Sequence, residues 1–203
     1  LDRVLELVET LHADGIRLQH IDIGGGVGIR YRDETPPALE DYAGVILERM
    51  RGREEQLIVE PGRALVGNAG WLLTRVEYLK HGESKDFAIV DAAMNDLMRP
   101  ALYDAWHDIL PVREQTDVAA RTYEVVGPVC ESGDFLGQNR DLALAQGDLL
   151  AISSAGAYGM SMSSNYNTRP RAAEVMVDGD STHLIHAREQ IKDMLANEVL
   201  LPE

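Results

Sequence analysis

A change of hydrophobic period near residue 68 constrains this chain more than any other feature it carries. Residues 1–13 put Leu1, Val4, Leu5, Val8 and Leu11 on one stripe at helical spacing, and Gly15 closes that helix. Residues 18–23 read as a short strand that runs into Gly24-Gly25-Gly26 and Gly28. Thr35, followed by Pro36 and Pro37, predicts an N-cap and a first turn. Leu39, Tyr42, Val45, Ile46 and Met50 then supply an apolar helix face. A second apolar run, 57–59, ends at Glu60-Pro61-Gly62-Arg63. Helix, strand, helix, strand is a βα repeat with parallel strands. From Gly70 onward the pattern becomes strand-like over 71–79, 86–91, 121–126, 148–154, 172–177 and 182–187. Asp178-Gly179 predicts a hairpin turn, and a short helix is expected over about 189–198.

The expectation is therefore α/β plus all-β: βα units over 1–68, then an antiparallel sandwich or barrel over 69–203. Two βα units cannot close a sheet with both faces covered, whereas a complete (β/α)8 barrel takes about 250 residues. Residues 1–68 thus read as the C-terminal part of an incomplete barrel, and the chain as the C-terminal part of a longer polypeptide. Charge narrows the partners. Nineteen Lys plus Arg against 34 Asp plus Glu leave a net charge of −15, which argues against nucleic acid and anionic membranes, since counterion release needs a basic footprint. One cysteine cannot form an internal disulfide, so a reducing, cytoplasmic compartment is expected, and no run reaches the apolar length of a membrane span.

Five stretches carry chemistry. Gly24, Gly25 and Gly26 leave backbone N–H groups open to an anion at a strand end, where α/β folds place ligands. Their spacing misses the dinucleotide fingerprint, because Ile29 or Tyr31 occupies its third glycine position. A tight turn is the alternative. Glu60-Pro61-Gly62-Arg63 puts an acid and an arginine where barrel enzymes keep catalytic groups, or else forms an exposed pair around a proline turn. In Met98-Arg99-Pro100-Ala101-Leu102-Tyr103, an arginine fork and a phenol four residues on could hold a carboxylate; a solvated Arg and a core Tyr would look the same. The only cysteine, Cys130, stands beside Glu131 in a glycine-punctuated loop suited to proton transfer, although a free cysteine is often just a small buried hydrophobe. Small residues around Tyr158 in Ser-Ser-Ala-Gly-Ala-Tyr-Gly fit a backbone that approaches a ligand, or a glycine-rich hairpin. The six histidines show no metal-ligand spacing, and no metal is expected.

Together, IDIGGGVGI, VEPGRALV, DAAMNDLMRPALY, GPVCESGD and SAGAYGMSMSSNYN closely resemble the motifs of the diaminopimelate decarboxylases, in the family's order and over essentially the whole chain. These are pyridoxal-phosphate lyases of the fold-type III decarboxylases that make lysine from meso-2,6-diaminopimelate. The resemblance implies an alanine-racemase-like barrel followed by the β domain. Gly24, Gly25 and Gly26 would bind the cofactor phosphate, with Gly62, Arg63 and Tyr158 beside it, and Glu60 would bond the pyridine nitrogen. Arg63, Arg99 and Tyr103 would bind the far carboxylate of the substrate, Glu131 its distal ammonium, and Tyr158 would border it. Cys130 would return a proton to the α-carbon, from a loop that reaches into the partner subunit of a homodimer. The family's cofactor-linking lysine has no counterpart: Lys80, Lys85 and Lys192 are the only lysines, and none lies in that motif. This piece alone is expected to be inactive. The alternatives are a related decarboxylase acting on ornithine, arginine or carboxynorspermidine, and an inactive regulatory fragment.

Overall fold

The computed structural model describes residues 1–201, and the chain divides into two compact units, Leu1–Gly67 and Asn68–Glu203. In the first unit, helix α1 (Asp2–Ala13) precedes strand β1 (His20–Asp22), helix α2 (Leu39–Met50) precedes β2 (Gln56–Ile58), and a short helix α3 (Gly62–Val66) follows. β1 and β2 are parallel, with His20 opposite Gln56 and Asp22 opposite Ile58, as a βα repeat requires. α2 starts later than the proline pair suggests. Its N-cap is Ala38, because Thr35 and Pro36 are each followed by a proline that disfavours helical backbone. Val8, Ile21, Val27, Ile29 and Ile46 are buried, yet Leu7, Val45, Leu47 and Val59 remain 43% to 64% exposed. The unit's own residues do not cover its apolar surface.

The second unit holds β3 (Leu72–His81), β4 (Asp86–Val90), α4 (Arg99–Tyr103), β5 (Ile109–Pro111), β6 (Arg121–Val126), β7 (Phe135–Leu142), β8 (Leu149–Ile152), β9 (Glu174–Asp178), β10 (Ser181–His186) and α5 (Ile191–Met194). Six strands form one sheet in the order β5-β8-β3-β4-β6-β7, and β9 and β10 form a separate antiparallel hairpin. The edges of the sheet meet: a Cβ on Gly137 of β7 would stand 2.7 Å from Ile109 Cδ1 of β5. The sheet is thereby curled into a nearly closed barrel. Its interior is filled by Val76, Val90, Leu97, Tyr123, Val125, Leu136, Leu150 and Ile152. On β3 the pleat is read directly, with Thr74 and Val76 buried and Leu73, Arg75 and Glu77 exposed.

Four further expectations need correction. The sheet is mixed and not antiparallel throughout, since β4 and β6 run parallel with Asp86 opposite Tyr123. The 30 residues between these strands, 91–120, include α4 and β5 and make the crossover that a parallel pair needs. β5 and β7 lie outside the predicted strands. β5 has only three residues, and β7 carries Gly137 and a left-handed Asn139 at φ 51°, which break any two-residue alternation. The hairpin turns at Gly179-Asp180, one residue later than expected, because Asp178 already pairs with Ser181. The terminal helix spans only Ile191–Met194, opened by a capping box between Gln190 and Asp193.

Leu150 is fully buried on β8, between β5 and β3. Leu150→Ala is expected to lower stability by about 2–5 kcal/mol in denaturant unfolding of the purified protein. A loss below about 1 kcal/mol would show that the barrel interior is not the core of this domain.

Candidate active site

In the first unit, the parallel pairing of β1 and β2 brings the loops that follow them to the same sheet end. The chain continues that pairing past the strands, since Ile23 N–H donates to Ile58 O at 3.1 Å and Glu60 N–H donates to Gly24 O at 2.8 Å. Gly25 has to be glycine at this approach, because a Cβ there would lie 2.4 Å from Glu60 O. Gly24 and Gly26 take left-handed φ values of 68° and 80°. The loop is braced from below by Asp22, whose Oδ1 accepts the Gly24 N–H at 2.8 Å, and from the side by Tyr42, whose hydroxyl donates to Gly25 O at 3.1 Å. Among the described residues, no atom outside the adjoining backbone lies within 4 Å of where a Cβ would stand on Gly24, Gly26 or Gly62, so a ligand could approach that backbone closely. Glu60 is exposed on the adjacent loop, and Arg63 is half-buried on α3.

In the second unit, α4 carries Arg99 and Tyr103 four residues apart, hence on one helix face. Arg99 is 9% exposed and Tyr103 is 62% exposed, so the pair runs from the interior to the surface. His107, fully buried, meets the guanidinium: its Nε2 lies 3.4 Å from Arg99 Nη1, and its Nδ1 lies 2.8 Å from Ser153 O. The partners dictate the tautomer. A carbonyl requires the proton on Nδ1, and a guanidinium N–H requires the lone pair on Nε2, so the ring is neutral. Burial pushes the His107 pKa below its ordinary value, and the nearby Arg99 and Arg140 cations push the same way against the Ser153 hydrogen bond and Asp108.

Ser153 follows β8 and opens the turn that carries Tyr158. Ser154 is buried at φ 56°, and its hydroxyl accepts the Asn68 amide at 2.7 Å. Gly70 and Gly156 are backed against each other, and a Cβ on Gly159 would lie 2.3 Å from Ala155 O. This crowding holds Tyr158 at φ 61°, a conformation uncommon for an aromatic residue, with 43% of the residue exposed.

The loop after β6 is organised by Asp134. Its Oδ1 accepts the Met94 N–H at 2.7 Å, and its Oδ2 accepts the Val129 N–H at 2.7 Å. A Cβ on Gly127 would lie 2.4 Å from that carboxylate, so the glycine makes the closure possible. Burial raises the Asp134 pKa, opposed by those two N–H bonds and by Arg169. Cys130 and Glu131 project outward from this clamp; Cys130 is an exposed free thiol, and Glu131 Oε2 accepts the Tyr166 hydroxyl at 3.4 Å.

Gly24, Gly25, Gly26 and Glu60 are thus brought together, with Gly62 and Arg63 directly after them. Arg99 and Tyr103 share a face, and His107 ties that face to the turn carrying Tyr158. Cys130 and Glu131 lie on a second element, the loop that the Asp134 carboxylate closes. The sequence marks no site role for Asp22, His107 or Asp134, and reads Tyr42 only as part of an apolar helix face. Among the described residues, no group of three or more His, Cys, Asp or Glu side chains is placed to hold a metal ion, and no helix is long and apolar enough to cross a membrane.

Residues 10–156 match a family model described as "Pyridoxal-dependent decarboxylase, C-terminal sheet domain". A diaminopimelate decarboxylase of Pseudomonas aeruginosa is 62% identical over 203 residues, covering 100% of this chain and 49% of the relative. The crystal structure of diaminopimelate decarboxylase from Helicobacter pylori complexed with L-lysine superposes with a TM-score of 0.88 at 41% identity, over 97% of this chain and 48% of that one. The enzyme from M. jannaschii, also in co-complex with L-lysine, gives 0.90 at 37% identity, over 98% and 47%. The chain spans about half the length of the curated relatives it matches.

Asp134→Asn leaves a single acceptor oxygen where two N–H groups need one each. Amide exchange at Met94 or Val129 is expected to accelerate by about tenfold or more, with the β3–β4 amides unchanged. Unchanged exchange at both sites would mean that the carboxylate does not hold the loop.

Proposed function

The chain belongs to the pyridoxal-dependent decarboxylases, and on that premise we propose that it is the C-terminal portion of a diaminopimelate decarboxylase, converting meso-2,6-diaminopimelate to L-lysine and CO2. Residues 1–68 are then the last βα units of an alanine-racemase-like (β/α)8 barrel. The exposed Leu7, Val45, Leu47 and Val59 are surface that its remaining elements would cover. The observation that carries the substrate reading is Arg99 on α4, buried and oriented, with Tyr103 on the same face. A guanidinium fork binds a carboxylate through two parallel hydrogen bonds. Diaminopimelate has a carboxylate at the end remote from reaction, and ornithine has none. A site built to pair such a group discriminates against analogues that lack it.

The glycine loop fits a phosphate, since the backbone is open at Gly24 and Gly26. Because the Gly24 N–H is engaged by Asp22, the donors that fall to the phosphate are those of Gly25 and Gly26. Gly62, Arg63 and Tyr158 complete the cofactor set. Pyridoxal phosphate, when bound, supplies the electron-withdrawing ring that takes up the electron pair left on the α-carbon as CO2 departs. Glu60 keeps the ring nitrogen protonated by accepting its hydrogen bond. Arg63, Arg99 and Tyr103 hold the distal carboxylate, Glu131 accepts the distal ammonium, and Tyr158 borders the substrate. Cys130 Sγ donates the proton that replaces the lost carboxylate. The Cys130–Glu131 loop, exposed on this chain, serves the site of the partner subunit in a homodimer.

In the full-length protein, Cys130→Ala is expected to cut kcat by about 100-fold or more while KM stays within about twofold, because a proton donor and not a binding contact is removed. Equal losses in both would contradict that role. For Arg99→Ala the split reverses: KM for diaminopimelate rises about tenfold or more with kcat little changed, and an unchanged KM would remove the carboxylate-binding assignment.

A further inference from the structure

We propose that His107 is a positioning residue for substrate recognition: anchored on Ser153 O through Nδ1–H, it accepts a hydrogen bond from Arg99 at Nε2 and so aims the guanidinium at the distal carboxylate. The inference rests on the reading of Arg99 given above and adds the residue that sets its geometry.

Three observations support it. His107 is fully buried although it is ionisable, and both ring nitrogens face polar atoms whose chemistry admits only one neutral tautomer. A neutral ring can accept from a guanidinium. A protonated one would set a third cation against Arg99 and Arg140, with Asp108 the nearby anion, and burial holds the ring below its ordinary pKa. The anchor is also informative. Ser153 leads into the turn holding Tyr158 at positive φ, so one imidazole couples the carboxylate-binding helix α4 to the segment that borders the ligand. The neighbouring Trp106 is fixed as well, its indole N–H donating to Asp108 Oδ1 at 2.7 Å and its ring stacked 3.2 Å from the Arg140 guanidinium carbon, which leaves His107 little freedom to turn.

Two substitutions separate the halves of the ring. Asn places its amide near Nδ1 and keeps the Ser153 bond while losing the acceptor for Arg99. Gln places its amide oxygen near Nε2 and keeps the acceptor while losing the anchor. Affinities for L-lysine, which retains the distal carboxylate, and for 1,5-diaminopentane, which does not, are measured by calorimetry on the full-length holoenzyme. His107→Asn is expected to weaken L-lysine about tenfold and 1,5-diaminopentane less than about twofold, with a matching rise in KM and little change in kcat. His107→Gln is expected to retain L-lysine affinity to within about threefold. The proposal is overturned if His107→Asn binds L-lysine as the parent does while Arg99→Ala does not, or if both ligands weaken together in His107→Asn. Should the Asn variant fail to fold, an equal weakening of L-lysine and 1,5-diaminopentane in the Gln variant overturns it. If Arg99→Ala leaves L-lysine affinity unchanged, the carboxylate-binding reading fails first and this inference falls with it.

Discussion

The second unit depends on a carboxylate taken out of water. Asp134 is 4% exposed and would be costly to bury alone, so the chain folds two N–H groups onto it, one from the loop after β4 and one from its own loop. Gly127 is required by that closure, since any side chain there would enter the carboxylate. The outward placement of Cys130 and Glu131 follows from it: a loop closed on the inside leaves its remaining side chains facing outward. The Thr74 hydroxyl and the Arg75 N–H treat Asp91 in the same way where β4 ends. There burial opposes the charge, and the hydrogen bonds prevail to lower its pKa.

The first unit reaches a comparable precision by crowding. Gly25 lies so close to Glu60 O that only glycine fits, and this fixes the spacing between the glycine loop and the acid. Both devices spend conformational freedom to hold a few atoms in place, which functional sites require of the elements that support them. The long exposed run Val199, Leu200 and Leu201 and the apolar hairpin residues Val177 and Leu184 belong to no such device.

Period and punctuation made part of this legible. The helix over 1–13, the parallel pairing of two short strands and the boundaries of β6 follow from apolar spacing and from glycines at strand ends. The mixed sheet does not, because strand direction is set by a crossover whose helix, α4, holds only five residues and begins with Arg-Pro. β7 was hidden by its polar sequence, Phe-Leu-Gly-Gln-Asn-Arg-Asp-Leu, which gains its strand by pairing with β6 and not by alternation. Among the site residues, chemistry-bearing types in glycine-rich settings stood out, whereas the groups that hold them did not. Nothing local distinguishes His107 from a solvated histidine until Ser153, 46 residues away, is placed against it. Asp134 sat in full view within the cysteine loop, but its partner Met94 lies 40 residues earlier. Supporting residues act through long-range backbone contacts, and a local pattern carries no record of those.

The role proposed for Arg99 and Tyr103 requires a substrate with a carboxylate at its unreactive end. It is tested most directly by comparing kcat/KM of the full-length protein, with pyridoxal phosphate present, for meso-2,6-diaminopimelate and for ornithine. L-lysine and CO2 in equal amounts are expected from the first, with a preference over ornithine of about 10⁴-fold or more. Comparable turnover of ornithine, or diamine formation in place of lysine, would contradict it.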